Sequence, residues 1–206
     1  MERLSGKIHK TENRKIKILQ FGEGNFLRAF ADWIVQAMND TGAYDGNVAV
    51  VQPIEAGRVN ELKEQDGLYT LYLKGIDKEK TVRSRQVIDV LGDFINPYTE
   101  YGKFLAYAQN GDLEIVLSNT TESGIRLDKT DTDFTKCPRS FPGKLLAFLE
   151  ARYKYFKGDF QKGLGIIPCE LIDDNGAELK RVLTGLAESR GMGADFIEWL
   201  TKANRF

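Results

Sequence analysis

One histidine and two cysteines in 206 residues leave little room for several familiar chemistries. His9 is the sole imidazole and lies in a polar N-terminal stretch, so neither a Ser-His-Asp triad nor a histidine-rich metal centre is expected. Cys137 and Cys169 stand far apart and form no metal-spaced pair. They suit free thiols in a reducing cytoplasm. Asp173 and Asp174 are adjacent acids, but no further ligand cluster supports them, and no metal is expected. Long apolar runs are also missing, since none approaches the roughly 20 residues of a membrane helix. The first fifteen residues, MERLSGKIHKTENRK, lack the apolar centre of a signal peptide. Nor is there an excess of one charge. With 29 basic and 30 acidic side chains the net charge is −1, which gives no electrostatic reason to expect nucleic acid or an anionic membrane as partner.

What remains is an ordinary soluble composition, 42% hydrophobic and 29% charged, enough for a core and a solvated surface. The length suits one large domain or one domain with an appendage. No repeat, low-complexity segment or good linker divides it, so residues 1–206 are taken as one unit.

The most telling stretch is residues 15–30, KIKILQFGEGNFLRAF. A short apolar run ending at Phe21 meets two glycines one residue apart, Gly22 and Gly24, and a helical pattern follows. A strand, a tight glycine turn and a helix start are what a chain needs to hold a diphosphate at a helix N-terminus. Gly22 can take backbone angles closed to other residues, and Gly24 lets a ligand approach the chain closely. Leu27 stands where the usual fingerprint has its third glycine, so the spacing alone is a weak motif. Glu23, Asn25 and Phe26 complete the turn. Arg28 falls in the first helical turn, where a cation opposes the helix dipole; a nearby anion would account for it, and a solvated surface arginine is the plainer alternative.

Along the chain, 16–21 reads as a strand, and Phe26, Ala29, Phe30, Trp33, Ile34 and Ala37 recur at helical spacing over 25–39. Residues 48–51 read as a second strand ended by Pro53. A short helix at 59–65 and an antiparallel pair at 69–73 and 81–90 follow, with 74–78 between them. Then come a helix at 98–109, a buried strand at 113–118, a helix at 141–155 opened by Pro142, a strand at 165–169, and helices at 175–188 and 193–202. Alternation of strands and helices predicts an α/β fold: a Rossmann-like, doubly wound, mostly parallel sheet with a small antiparallel addition.

Ligands of such sheets gather beyond the carboxyl ends of strands. Glu55, just past the second strand, is placed to accept bonds from an adenosine ribose, which favours NAD over NADP; it is equally a surface acid in a loop. SNTTESG at 118–124 follows the clearest strand. Asn119, Thr120 and Thr121 offer hydrogen bonds to a nicotinamide ribose or a substrate hydroxyl, and Glu122 offers a carboxylate; a polar turn bonding its own backbone explains the same composition. PCELIDDNG at 168–176 also follows a strand. Asp173, Asp174 or Asn175 can cap the next helix, and a place in a substrate pocket is compatible with capping.

Together these pieces make the chain resemble the polyol-specific long-chain dehydrogenase/reductase family, typified by mannitol dehydrogenases. The matching segments are FGEGNFLRAF (21–30), QDGLYTLY (65–72), SNTTESG (118–124), PCELIDDNG (168–176) and the final NRF (204–206), collinear over most of the chain. SNTTE and PCELIDDNG are most similar to the tagaturonate-reducing branch. The resemblance implies an NAD-binding domain and NADH-linked reduction of a sugar acid, D-tagaturonate, to D-altronate. It implies no metal, a lysine as general acid/base, and asparagine amides that polarise the carbonyl. Fructuronate, mannitol or mannitol-1-phosphate reductases are the alternatives within the family, and a non-catalytic nucleotide- or partner-binding domain is the alternative outside it. The asparagine that follows Cys-Asp in the family falls here on Leu171, leaving Asn175 as the neighbouring candidate for substrate. The family's K-x-x-x-x-N-x-x-H motif is absent from these residues. The catalytic lysine is therefore expected beyond Phe206, in a helical C-terminal domain, with this chain as an N-terminal fragment.

Overall fold

The computed structural model describes residues 4–78, 80–120, 124–128, 130, 131 and 133–206. Five strands form one parallel sheet: β1 (Ile16–Phe21), β2 (Asn47–Val51), β5 (Leu91–Ile95), β6 (Ile115–Ser118) and β7 (Gly165–Pro168), in the order β5-β2-β1-β6-β7. β2 and β6 are near-continuous apolar runs, as burial on both faces demands. β3 (Tyr69–Asp77) and β4 (Lys80–Ile88) pair antiparallel as a separate ribbon between β2 and β5 in sequence. The expected α/β class and its antiparallel addition are both present.

Alternation along β1 divides the core into two layers. Leu19 and Phe21 face one side, with Val116, Ile166 and Phe104. Over that side lie α4 (Tyr101–Ala106), α5 (Phe141–Tyr155), α6 (Asn175–Ser189) and α7 (Ala194–Lys202). Ile18, Val48 and Val50 face the other side, against Leu27, Val35, Val59 and Leu62. Those four come from α1 (Asn25–Ala29), α2 (Ala31–Asp40) and α3 (Val59–Lys63).

Three expectations need correction. The helix expected unbroken over 25–39 is interrupted at Phe30, whose φ of −119° and ψ of −73° separate α1 from α2. Its buried face also differs from the apolar set read from the sequence. Phe26 and Phe30 are about half exposed, while Asp32, Gln36 and Asn39 turn inward with Leu27, Ala31 and Val35. Gln36 and Asn39 can be buried because they find partners: Gln36 Oε1 accepts from the Asp89 N–H at 2.9 Å, and Asn39 Nδ2 donates to Gly46 O at 2.9 Å. β5 was not anticipated, because Gly92 and Asp93 interrupt its apolar pattern and it lies at the sheet edge. The ribbon is longer than expected, the supposed connection at 74–78 belonging mostly to β3.

Candidate functional site

Crossovers leave β1 toward β2 and β5 on one side and reach β6 and β7 on the other, so the strand order reverses between β1 and β6. At the carboxyl ends of these two strands lies a cleft of about 500 Å³. Gly22, Glu23 and Gly24 line it after β1, Pro53 and Ile54 after β2, and Asn119 and Thr120 after β6. Such a reversal is where open α/β sheets place their ligands.

The two glycines do different work. Gly22 holds φ at +125°, and a Cβ there would sit 2.9 Å from Asn119 O and 3.1 Å from Leu27 Cδ1. Its N–H donates to Val51 O at 3.0 Å, and the Asn119 N–H donates to Phe21 O at 3.1 Å, so the turn is sewn to both neighbouring strands. Gly24 has an ordinary φ of −71° as the cap of α1, and a Cβ there would meet no atom of the described residues within 4 Å. The space before it belongs to the cleft. Leu27 is the buried residue of α1 and anchors that short helix in the core where the fingerprint would have glycine.

A polar cluster lies under the turn. Gln20, fully buried in β1, donates through Nε2 to Gly22 O at 3.1 Å. The Tyr69 hydroxyl approaches Arg28 O at 2.7 Å and Asp32 Oδ2 at 3.2 Å. The Arg28 guanidinium lies 5.6 Å from the Tyr69 ring centroid, an arrangement that favours a cation over a π-face. Burial pushes the Asp32 carboxyl up to about 7, against weaker opposing effects of Tyr69, Gln20 and Arg28. The Tyr69 hydroxyl is raised as well, by burial first and then by Asp32.

On the β2 side, Glu23 Oε1 accepts from the Arg58 N–H at 2.8 Å, tying the glycine turn to the loop after β2. Gln52 shapes that loop by donating to Ile54 O at 2.9 Å and Glu55 O at 3.0 Å. Glu55 itself is exposed, one residue beyond the cleft-lining Pro53 and Ile54. Asn25 and Arg28 border a second depression with Glu23, Gly24, Arg58 and Glu61. Phe26 packs its ring 5.3 Å from that of Phe30, on the outside of the helix break.

On the β6 side, the two strand-end motifs are joined by one buried acid. Glu170 Oε2 accepts from Ser118 Oγ at 3.1 Å, and its Oε1 accepts from the Thr120 N–H and hydroxyl, both at 3.0 Å. Asn119 Nδ2 donates to Cys169 O at 2.7 Å, and Asn175 Nδ2 donates to Pro168 O at 2.9 Å and Glu170 O at 3.1 Å. Asn119 and Thr120 therefore line the cleft with their donor groups engaged inside the protein. Asp174, not Asn175, is the cap residue of α6, at φ +51° and without a side-chain cap bond. Thr121 and Glu122 lie outside the described residues. Glu170→Ala should unlatch the two loops, lowering stability by about 2–3 kcal/mol through lost charge-assisted bonds. Urea unfolding of the variant checks this; an unchanged midpoint would show that the loops hold without it.

The connection between β6 and α5 supplies the remaining wall, with Arg126 and Arg139 at the cleft. Asp131, buried, accepts from the Arg139 N–H at 2.7 Å and the Ser140 N–H at 3.0 Å. Lys144, fully buried in α5, donates to Arg139 O at 2.7 Å and to Tyr98 OH at 3.0 Å, and Tyr98 in turn donates to Pro53 O at 3.2 Å. Burial lowers the Lys144 ammonium to about 8. Gln20, Asp32, Tyr69, Arg126, Arg139, Lys144 and Glu170 were not singled out from the sequence as parts of the site. Only Glu170 carried a local signal, its position directly after a strand.

A parallel sheet with this reversal point, closed by a glycine turn between its first strand and first helix, defines a nucleotide-binding domain of the Rossmann type. The chain belongs to the mannitol dehydrogenase family: residues 16–206 match its "Mannitol dehydrogenase Rossmann domain". It is 43% identical over 203 residues to an altronate oxidoreductase of Phocaeicola vulgatus, covering 98% of this chain and 42% of that protein. To an altronate oxidoreductase of Bacillus subtilis it is 42% identical, covering 92% of this chain and 40% of that protein. The chain thus spans less than half the length of these relatives. Among solved structures, a Pseudomonas fluorescens mannitol 2-dehydrogenase in ternary complex with NAD and D-mannitol superposes with a TM-score of 0.80 at 21% identity, over 94% of this chain and 41% of that one. A substrate-free D-sorbitol dehydrogenase gives 0.76 at 20% identity, over 94% and 41%.

Proposed function

We propose that residues 1–206 form the NAD-binding domain of an oxidoreductase that interconverts D-tagaturonate and D-altronate by hydride transfer. The observation that carries this reading is the glycine-turn cleft at the β1/β6 reversal, where a backbone bend meets open space, with Arg28 bordering the adjoining depression that shares Glu23 and Gly24. The relatives named altronate oxidoreductase support the sugar-acid substrate, and the NAD complex of the structural neighbour supports the cofactor. NAD, when bound, carries the hydride. In this reading Gly22, Glu23, Gly24, Asn25 and Phe26 form the bend that receives the diphosphate, and Arg28 neutralises it. Glu55 serves the adenosine ribose, Asn119, Thr120 and Thr121 shape the nicotinamide end, and Glu122 and Asn175 border the substrate. Arg126 and Arg139 add positive charge to the same cleft, which suits both a diphosphate and a sugar-acid carboxylate.

Proton transfer to the developing alkoxide needs a general acid. No lysine is among the described residues that line the cleft. We assign that role to a lysine beyond Phe206, in a helical C-terminal domain that would also be this domain's intramolecular partner. A cytoplasmic setting belongs to the same reading and is supported by the two free cysteines. No helix among the described residues is long and apolar enough to cross a membrane.

Isothermal titration with NADH tests the reading. The 206-residue chain should bind NADH without reducing tagaturonate. Arg28→Ala and Gly24→Val should each weaken binding by on the order of tenfold or more, the first by removing a charge-assisted contact and the second by filling the open space. Unchanged affinity in both variants would move the diphosphate elsewhere, and turnover by the chain alone would refute the assignment of the proton donor.

A further inference from the structure

Asp32 is fully buried, yet very little in the structure compensates a charge there. Among the described residues its Oδ2 receives only the Tyr69 hydroxyl, whose single hydrogen is shared with Arg28 O, and its Oδ1 is shielded from water without a partner. The Oε1 of Gln20, on β1, is likewise buried and without a partner among the described residues, and the Gln20 amide is close enough to the Asp32 carboxyl to oppose, more weakly, the effect of its burial. Arg28 is the cation nearest to hand, but it makes no ion pair with Asp32. Its guanidinium lies against the Tyr69 ring, one nitrogen donates to Asn25 Oδ1, and its Nε is buried without a partner among the described residues. A dry carboxylate with half a hydrogen bond and an unpaired cation beside it is an arrangement the ionised acid would not keep. A neutral carboxylic acid fits it: one oxygen accepts from Tyr69 and the other holds a proton that an acceptor such as Gln20 Oε1 can take.

We infer that Asp32 keeps its proton while the site is competent, and that ionising it turns Arg28 inward, away from the bound diphosphate. Arg28 is then one cation contested by two anions, the buried carboxylate and the ligand. Asp32 is a positioning residue: it touches no ligand and acts through Arg28 and, by way of Gln20, through Gly22 O. The groups facing it are Arg28 from α1, Tyr69 from β3 and Gln20 from β1. This inference rests on the reading that Arg28 meets a diphosphate.

The sign of the pH effect follows from linkage. Burial lifts the folded carboxyl to about 7, above its value in the unfolded chain. Between about pH 4 and about pH 7 the native state therefore holds a proton that the unfolded state has lost, and this group makes stability fall as pH rises. Above that window the penalty is complete.

Wild-type chain and Asp32→Asn, which presents a permanent neutral donor, are compared in two ways: by NADH titration at about pH 6.5 and about pH 8.5, and by thermal melting between about pH 5 and pH 8.5. Wild-type affinity should fall on the order of tenfold over that rise, whereas Asp32→Asn should bind equally at both values and about as tightly as wild type at the lower one. The variant should also lose most of the downward slope of melting temperature with pH. Equal slopes in the two proteins, or an Asp32→Asn that binds NADH tenfold or more weaker than wild type at the lower pH, overturn the inference. No NADH binding by wild type at either pH overturns the nucleotide reading and with it the contest over Arg28; the melting slopes report on the Asp32 proton independently.

Discussion

Gly22→Val should abolish measurable NADH binding and destabilise the chain by about 3 kcal/mol or more. Two costs add. A φ of +125° is closed to a β-branched residue, and the new Cβ would sit 2.9 Å from Asn119 O, a backbone atom that cannot swing aside. Relief requires the turn to separate from the end of β6, which breaks the seam that the Asn119 N–H makes with Phe21 O. Guanidinium unfolding and NADH titration on the same sample check both parts. The contrast with Gly24→Val is the informative one. That position has an ordinary φ and faces no atom of the described residues, so its valine should leave unfolding almost unchanged while binding weakens. A Gly22→Val protein with wild-type affinity would mean that the bend is not the ligand seat.

Arg152→Met should cost about 3–5 kcal/mol, lowering the melting temperature by about 10 °C, without touching NADH affinity in the folded fraction. Arg152 is almost fully buried in α5 and pairs with no carboxylate among the described residues. Its fork instead collects backbone carbonyls from two connections: Nε donates to Lys162 O at 2.7 Å, one terminal nitrogen to Ala108 O at 3.1 Å and Asn110 O at 2.8 Å, and the other to Leu113 O at 3.4 Å. Methionine fills much of the volume but supplies no donor, leaving those acceptors bare. Burial already depresses the guanidinium to about 10, the expected direction for a cation held by dipoles alone. Thermal melting followed by circular dichroism measures the loss. A shift of only a degree or two would show that water replaces the fork.

The glycine turn, β1, β6 and β7 were legible because each is a short apolar run bounded by breakers, a local signal. The polar cluster beneath the turn was not. Gln20 lies in a strand and Asp32 in a helix, and only tertiary packing reveals that both point into the same layer. Hydrophobic periodicity points to Phe26 and Phe30 as the inward face, because their size outweighs the polar Asp32, Gln36 and Asn39; the fold buries all three, Gln36 and Asn39 with partners. The break at Phe30 also carries no breaker residue to announce it. Glu55 marks a further limit. Its place after β2 was correctly read, but the chain rule that puts an acid near the ribose does not fix where that side chain points, and here it is exposed beyond Ile54.

The strand order has a consequence for how the chain is made. β1 stands at the centre of the sheet, and one of its neighbours, β2, follows soon after it, while the other pairs Ile18 with Ile115 far downstream. On a ribosome, β1 emerges well before β6, with one of its backbone edges bare until β6 closes it. Loop closure over such a span is entropically slow, so the nascent chain carries an open, strongly apolar template during synthesis.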